Sequence, residues 1–251
     1  MTMDRRPFPV DLAPPPRVER LRALFEILLA SGVVSGLLAG LVLRLVRGER
    51  TDLLSGGAAA VAGYLLVEAG VLFVILFALL RANRERVRSL GAGWRRWKSN
   101  ALIGLAAAPL LLLGQQATAH LFRVFLPGHC LESNPLTDVI RTPAELALFI
   151  VAALLAGGVK EELQRAFILD RFGRHLGGYG VGLLLWSLAF GAGHYLQGVQ
   201  GMALATLFGL VFGLLYLTRG SLVAPMVAHG AYDTAALLLY WFAGGGGGPS
   251  A

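Results

Sequence analysis

Charged residues are scarce in this chain, which limits the class of protein that it can be. Asp, Glu, Lys and Arg make up 15% of the 251 residues, whereas hydrophobic residues make up 56%. Soluble domains usually carry about a quarter charged residues. Several apolar runs are longer than the roughly 18 residues that cross a bilayer as a helix. The composition therefore indicates a polytopic membrane protein.

Cysteine is nearly absent, since Cys130 is the only one. An internal disulfide and a cysteine-based metal site are therefore both excluded. The net charge of +7 could indicate a nucleic-acid partner, but the basic residues cluster between the apolar runs. Basic residues beside spans are typical of the cytoplasmic side of a membrane protein. We therefore expect the lipid bilayer, and no nucleic acid, as a partner.

No stretch alternates as barrel strands do, so helices must satisfy the backbone in lipid. We predict an all-α transmembrane helical bundle of about seven to eight spans. Seven runs define it, at about residues 24–46, 54–80, 101–126, 143–172, 180–196, 202–218 and 222–242. Thr142 and Pro143 are a favourable cap and first residue for the fourth run. The expected organisation is a polar segment 1–20, a single transmembrane domain 21–243 and a flexible tail 244–251.

Ionisable side chains inside a span are costly unless they face the protein interior, so each is a candidate functional residue. The stretch GGVKEELQR places Lys160, Glu161, Glu162 and Arg165 within two helical turns. Glu161 and Arg165 are four residues apart and share a helix face, where the arginine can keep the carboxylate ionised. The alternative is an ion pair that only fixes helix packing.

Two later spans carry imidazoles. His194 lies four residues after Phe190, and His229 lies four residues before Asp233. A carboxylate one turn from an imidazole can orient the ring and fix its tautomer. The alternative for a single histidine in an apolar helix is a hydrogen bond to a neighbouring helix.

A carboxylate, an imidazole and an imidazole–carboxylate pair suit water activation and the stabilisation of an oxyanion. They would also suit zinc or another divalent metal, with Glu161, His194 and His229 as ligands, although the HExxH motif of common zinc proteases is absent. Both interpretations predict hydrolysis of an amide within the membrane. Outside this set, Glu68 is expected to pair within the bundle and Gln115 to hydrogen-bond between helices.

Three successive motifs, EELQR, FGAGH and HGAYD, resemble those of the CAAX prenyl protease and bacteriocin-processing family of intramembrane endopeptidases, also called CPBP or Abi-like proteins. The family's motifs are EExxxR, FxxxH, and a histidine followed four residues later by Asn or Asp. The likeness covers residues 154–239. It implies a peptidase that acts on membrane-associated substrates, and the family's eukaryotic members act on prenylated C-terminal peptides.

The resemblance also implies roles for the site residues. A glutamate and His194 would activate water, and Arg165 would position the carboxylate. His229 and Asp233 would support the oxyanion.

The spacing departs from the family pattern, because Arg165 follows Glu161 by four residues and Glu162 by only three. If the Glu–Arg face is retained, Glu161 corresponds to the family's second glutamate and Lys160 takes the place of the first. If the paired acids align, the arginine is shifted by one residue. We favour Glu161 as the base because it shares a face with Arg165, and Glu162 is the alternative.

Two other functions fit a buried polar network. One is a non-catalytic membrane partner or immunity-type protein, which Lys160 would favour. The other is a small transporter, although no repeated or broken helices indicate one. For the peptidase, we expect a bacterial inner membrane as the location and a cytoplasmic amino terminus.

The basic residues predict the orientation of two loops. Residues 81–98 carry seven Lys or Arg and should be cytoplasmic, whereas residues 127–143 carry only Arg141 and should be external. An impermeant thiol reagent applied to intact cells should label native Cys130. It should not label a cysteine introduced as Ser89→Cys in a Cys130→Ser background, although permeabilised cells should show labelling at both positions. Labelling of residue 89 in intact cells would show an inverted topology.

Overall fold

The computed structural model describes residues 15–47, 53–93, 96–131 and 133–245, which form helices joined by short turns. No strand occurs within these ranges, so the predicted all-α class is confirmed. Most of the predicted polar segment 1–20 and most of the predicted tail 244–251 lie outside the described residues.

The helices occupy nearly the same positions as the apolar runs of the sequence. Their bounds are α1 Arg17–Ala30, α2 Val33–Arg47, α3 Gly57–Ala82, α4 Trp97–Phe125, α5 Pro143–Ala152, α6 Glu162–His175, α7 Tyr179–Gly193, α8 Gly198–Arg219 and α9 Val223–Tyr240. The first predicted span is thus two helices. Between them Gly32 has a φ of +92°, a conformation that glycine adopts without strain.

One continuous helical segment carries the stretch GGVKEELQR. α5 begins with a capping box, in which the Thr142 hydroxyl accepts from the backbone N–H of Glu145 and the Glu145 carboxylate accepts from the backbone N–H of Thr142. The predicted cap is therefore confirmed. α5 continues into a π-helix, Ala153–Glu161, which passes directly into α6. Such π-helical turns are rare in proteins overall, and those that occur are often found at functional sites.

α6 lies at the centre of the bundle. Every residue from Glu162 to Arg171 is buried, and its apolar side chains share a core with α3, α7 and α8. Near its carboxyl end, Arg171 pairs with Glu26 of α1 and with Glu85 of the loop that follows α3, both at 2.6 Å. The charges of this helix are therefore neutralised by the protein at both ends rather than by water.

The other helices pack around this centre. α4 lies along α9, α7 lies along α8, and the π-helix contacts α9, α3 and α6. A Cβ added to Gly104 of α4 would collide with the Ala224 carbonyl and would lie 2.9 Å from Val227 Cβ. α4 and α9 can approach this closely because residue 104 has no side chain.

Within the described residues, four helical stretches are long and apolar enough to cross a membrane. They are Arg17–Val46, Gly57–Ala82, Trp97–Phe125 and Tyr195–Arg219. Large apolar side chains such as Leu102, Leu110 and Leu113 are exposed on the outside of α4, as expected for a lipid-facing surface. The predicted number of seven to eight spans is not confirmed and stays a prediction.

The close contact between α4 and α9 predicts opposite effects of the same substitution at two glycines of α4. Gly104→Ala should lower the free energy of unfolding by about 1–3 kcal/mol, because the new methyl group overpacks the contact. Gly114→Ala is the matched control, since its Cβ would meet only Phe208 at 4.0 Å. It should leave stability unchanged or raise it by up to about 1 kcal/mol. Thermal unfolding in detergent measures both, and equal stability of the two variants would contradict the contact.

Candidate active site

Acids and imidazoles from three separate parts of the chain line one cavity. The cavity has a volume of about 330 Å³, and its wall includes Glu161, His194, His229 and Asp233. Glu161 ends the π-helix, His194 follows the last residue of α7, and the other two lie one turn apart on α9. The fold therefore brings together four of the six residues that the sequence proposed, at a shared wall.

Two glycines let the π-helix lie directly against α9. A Cβ added to Gly157 would lie 2.6 Å from Asp233 Oδ2 and 3.3 Å from His229 Nε2. A Cβ added to Gly158 would lie 3.3 Å from the Cα of Gly230. The small residues of GGVKEE thus bring the end of the π-helix up to the imidazole of α9, where a larger residue would displace the polar groups.

Glu162 is the most enclosed acid of the site, with none of its surface exposed. Its carboxylate forms an ion pair with Arg165, which is 1% exposed, and accepts a hydrogen bond from His229 Nδ1 at 2.8 Å. The expected pairing of Arg165 with Glu161 is therefore wrong. Residues three and four apart are both neighbours on a helix, and here the arginine uses the shorter spacing because the face with Glu162 is buried.

Aromatic rings complete the surroundings of Arg165. Its Cζ lies 4.8 Å from the ring centroid of Phe190 and 5.4 Å from that of Phe212. Phe212 also stacks on His229, with 4.5 Å between centroids and 19° between planes. A cation–π contact of a desolvated arginine contributes about 2 kcal/mol. The phenylalanine of the FxxxH motif thus holds the arginine, a role that the spacing of the motif does not reveal.

The imidazole of His229 contacts three carboxylates. Its Nδ1 donates to Glu162, whereas its Nε2 lies 3.5 Å from Asp233 Oδ2 and 3.8 Å from Glu161 Oε2. Because only the Nδ1 contact has the length of a good hydrogen bond, Glu162 and not Asp233 fixes the plane of the ring. Nε2 is left at the cavity wall.

His194 is oriented by the backbone of its own helix. Its Nδ1 lies 2.8 Å from the carbonyl oxygen of Phe190, to which an Nδ1–H donates. The ring also packs on the Phe190 ring, with 4.6 Å between centroids. This tautomer leaves Nε2 as an acceptor. A short 3₁₀ turn, Tyr195–Gln197, then ends the helical run at the edge of the cavity.

Glu161 faces the cavity and is in contact with two basic side chains, those of Lys160 and His229. Its side chain is 18% exposed, with Oε2 toward His229 and with Oε1 3.6 Å from Lys160 Nζ. Lys160 in turn pairs with Glu68 of α3 at 2.8 Å, which confirms that Glu68 pairs within the bundle. Lys160 therefore faces α3 and does not take the place of a glutamate in the cavity.

These contacts favour one of the two alignments of the motif. Glu161 is open to the cavity and Glu162 is locked to the arginine, which is the arrangement expected if the paired acids align and Arg165 is shifted by one residue. The long guanidinium side chain accommodates the shift.

Amide and hydroxyl groups supply the rest of the polar wall. Tyr232 donates to Gln115 Oε1 at 2.8 Å, which confirms that Gln115 hydrogen-bonds between helices. Asn134, from the loop before α5, and Gln197 also line the cavity. Nothing in the local sequence distinguished Asn134 and Gln197, because only the packing of the helices gives them a common neighbour.

Metal ligation was predicted as one use of the acid and imidazole groups. Among the residues that the structure describes, no group of three or more His, Cys, Asp or Glu side chains is placed to hold a metal ion. The predicted ligand set of Glu161, His194 and His229 is not such a group.

The enclosed Glu162–Arg165 pair predicts a large effect on stability. Arg165→Met leaves a buried carboxylate with too little positive charge, so the free energy of unfolding should fall by about 3 kcal/mol or more. The double variant Glu162→Gln/Arg165→Met removes both charges and should be less destabilised than the single one. Arg123→Met, at an exposed arginine of α4, is the control and should change stability by less than about 0.5 kcal/mol. Unfolding in detergent followed by circular dichroism measures all three, and a double variant no more stable than Arg165→Met would contradict the assignment.

Comparison with known proteins concerns the same part of the chain. The model of a family described as type II CAAX prenyl endopeptidase Rce1-like matches residues 142–235. No curated protein and no solved structure matches the chain. The matched segment begins at the cap of α5 and includes Glu161, His194, His229 and Asp233, the acids and imidazoles that line the cavity. The match to a membrane-protease family and the four apolar helices together identify an integral membrane protein. Over residues 142–235, this chain is similar to the Rce1-like family of type II CAAX prenyl endopeptidases.

Proposed function

We propose that the chain is an intramembrane endopeptidase that hydrolyses a peptide bond in membrane-associated, CAAX-type lipidated substrates, with water as the nucleophile. One observation carries the proposal: Glu161, His194, His229 and Asp233 line a single cavity within the segment that matches a protease family. A carboxylate and imidazoles around one cavity are the groups that activate water and hold an oxyanion.

Glu161 is the general base in this proposal, together with His194. Of the two adjacent acids, Glu161 is the one with access to the cavity, whereas Glu162 is enclosed. Glu161 takes a proton from water, and the water oxygen forms a bond to the carbonyl carbon of the substrate. His194 Nε2, left free by the bond of Nδ1 to the backbone, is a second acceptor for the water.

His229, supported by the neighbouring Asp233 carboxylate, stabilises the tetrahedral oxyanion. The hydrogen bond from Nδ1 to Glu162 holds the ring so that Nε2 faces the cavity. In its imidazolium form, which the three surrounding carboxylates favour, His229 can also donate from Nε2–H to the substrate oxygen. Arg165 acts through Glu162 and does not touch the substrate. When the C–N bond breaks, the proton that Glu161 accepted passes to the leaving amine, which returns the base to its carboxylate form.

The wall of the cavity suits an extended peptide with an apolar group. Three side-chain amides, those of Gln115, Asn134 and Gln197, can hydrogen-bond to a peptide backbone of any sequence. The remaining wall is largely apolar, including Phe149 and Phe208. The proposed location is a bacterial inner membrane with the amino terminus in the cytoplasm, which the loop charges support.

The test is hydrolysis of a fluorogenic farnesylated CAAX-type peptide by purified protein in proteoliposomes. Glu161→Gln should lower kcat by about 10²–10⁴-fold, because the variant keeps the shape of the side chain and removes the base. His194→Ala should also lower kcat, whereas His120→Ala, at an exposed histidine of α4, should retain full activity.

The same assay distinguishes catalysis by a glutamate base from catalysis by a metal ion. Activity should survive exhaustive chelation, since the described residues hold no group suited to a metal ion. Loss of activity on chelation, restored by stoichiometric zinc, would overturn metal-free catalysis. Full activity of both Glu161→Gln and Glu162→Gln would remove the glutamates from the mechanism and, with it, the proposal.

A further inference from the structure

We infer that the buried Lys160–Glu68 ion pair positions Glu161, so that the active site is completed by a helix outside the family-matched segment. The inference rests on the proposed function of Glu161 as the base. Lys160 and Glu68 are positioning residues, because each acts through another side chain and neither lines the cavity.

The contacts form a chain from α2 to the cavity. Ser35 Oγ donates to Glu68 Oε1 at 2.6 Å, and Glu68 Oε2 lies 2.8 Å from Lys160 Nζ. Lys160 Nζ lies 3.6 Å from Glu161 Oε1, and Glu161 Oε2 lies 3.8 Å from His229. One oxygen of the base is thus directed to the lysine, which leaves the other at the cavity. A carboxylate held at one oxygen has fewer orientations to lose when it accepts a proton.

Burial makes the lysine dependent on its partner. Lys160 is 7% exposed and Glu68 is 6% exposed, so water neutralises neither charge. An ammonium group that is removed from water needs a carboxylate in direct contact. Glu68 provides this contact, and because its other oxygen is held by Ser35 the position of Lys160 is fixed from α2 and α3.

The charges around Glu161 show why a cation is needed there. The titratable groups that face Glu161 or share its cavity are Glu162, Asp233, His194, His229 and Lys160. All of them except Lys160 are acidic or imidazole groups. Arg165 is already paired with Glu162. Lys160 is therefore the permanent positive charge in direct contact with Glu161 within the described residues.

The partner of Lys160 lies outside the segment that matches the family. The matched segment begins at residue 142, whereas Glu68 and Ser35 lie in α3 and α2. If the segment were sufficient for the site, a lysine next to the base would have no partner. The amino-terminal helices thus contribute the counter-charge that permits Lys160 at this place.

The experiment compares substitutions that remove the pair with and without leaving a buried charge. The variants are Lys160→Met, Glu68→Gln, the double variant Lys160→Met/Glu68→Gln, and Lys160→Arg, assayed with the farnesylated peptide in proteoliposomes. The double variant is decisive because it removes both charges of the buried pair together and leaves Glu161 at the open cavity, so it should fold and keep its thermal stability. Its kcat should fall on the order of 100-fold, with KM changed less than about threefold, because the base is misplaced and the substrate wall is intact. Lys160→Arg keeps the charge and should recover at least a tenth of the wild-type kcat.

Glu26→Gln is the matched control, since it removes another buried carboxylate from an ion pair that lies outside the cavity. It should leave kcat within about twofold of wild type. A double variant with normal stability and wild-type kcat would show that Lys160 and Glu68 are structural only, and the inference would be overturned while the proposed function stands. Equal lack of activity in wild type and Glu161→Gln would instead overturn the proposed function, and this inference with it.

Discussion

The exclusion of water from the Glu162 carboxylate is the constraint on which the site depends. A buried carboxylate must be neutralised by protein groups, and here Arg165 and His229 provide the compensation. The first comes from the same helix and the second from α9, so the hydrogen bond between His229 and Glu162 requires the start of α6 to lie against α9. The position of the imidazole and the start of α6 are thereby fixed together, and the cavity lies next to this contact.

Adjacent acids acquire different environments because a helix turns by about 100° per residue. Glu162 turns into the protein, whereas Glu161 turns to the cavity and to Lys160. Two carboxylates with separate roles set by their surroundings are a general solution for acid–base chemistry. The glycines of the π-helix make the arrangement possible, because Gly157 leaves room for the side chain of Asp233.

Much of the fold could be predicted from periodicity and end signals. The apolar runs coincide with the helices, and Thr142 caps α5 as expected, because both properties depend on residues close in sequence. The sequence also suffices to propose candidate site residues, since ionisable groups in apolar spans are conspicuous. The break at Gly32 and the π-helix were missed, because a single glycine or a Gly-Gly pair is compatible with a continuous helix.

The sequence by itself determined that this is an all-helical membrane protein with acids and imidazoles in its interior, because composition and spacing are local properties. Only the tertiary structure decided which partner each charge takes. Arg165 had two acids within reach on its own helical segment. Its packing against Phe212 and the hydrogen bond from His229 to Glu162 selected Glu162. Lys160 found Glu68 on a helix far away in the chain. Pairing of charges in a dry interior is set by distances between helices, and those distances depend on packing across the whole bundle.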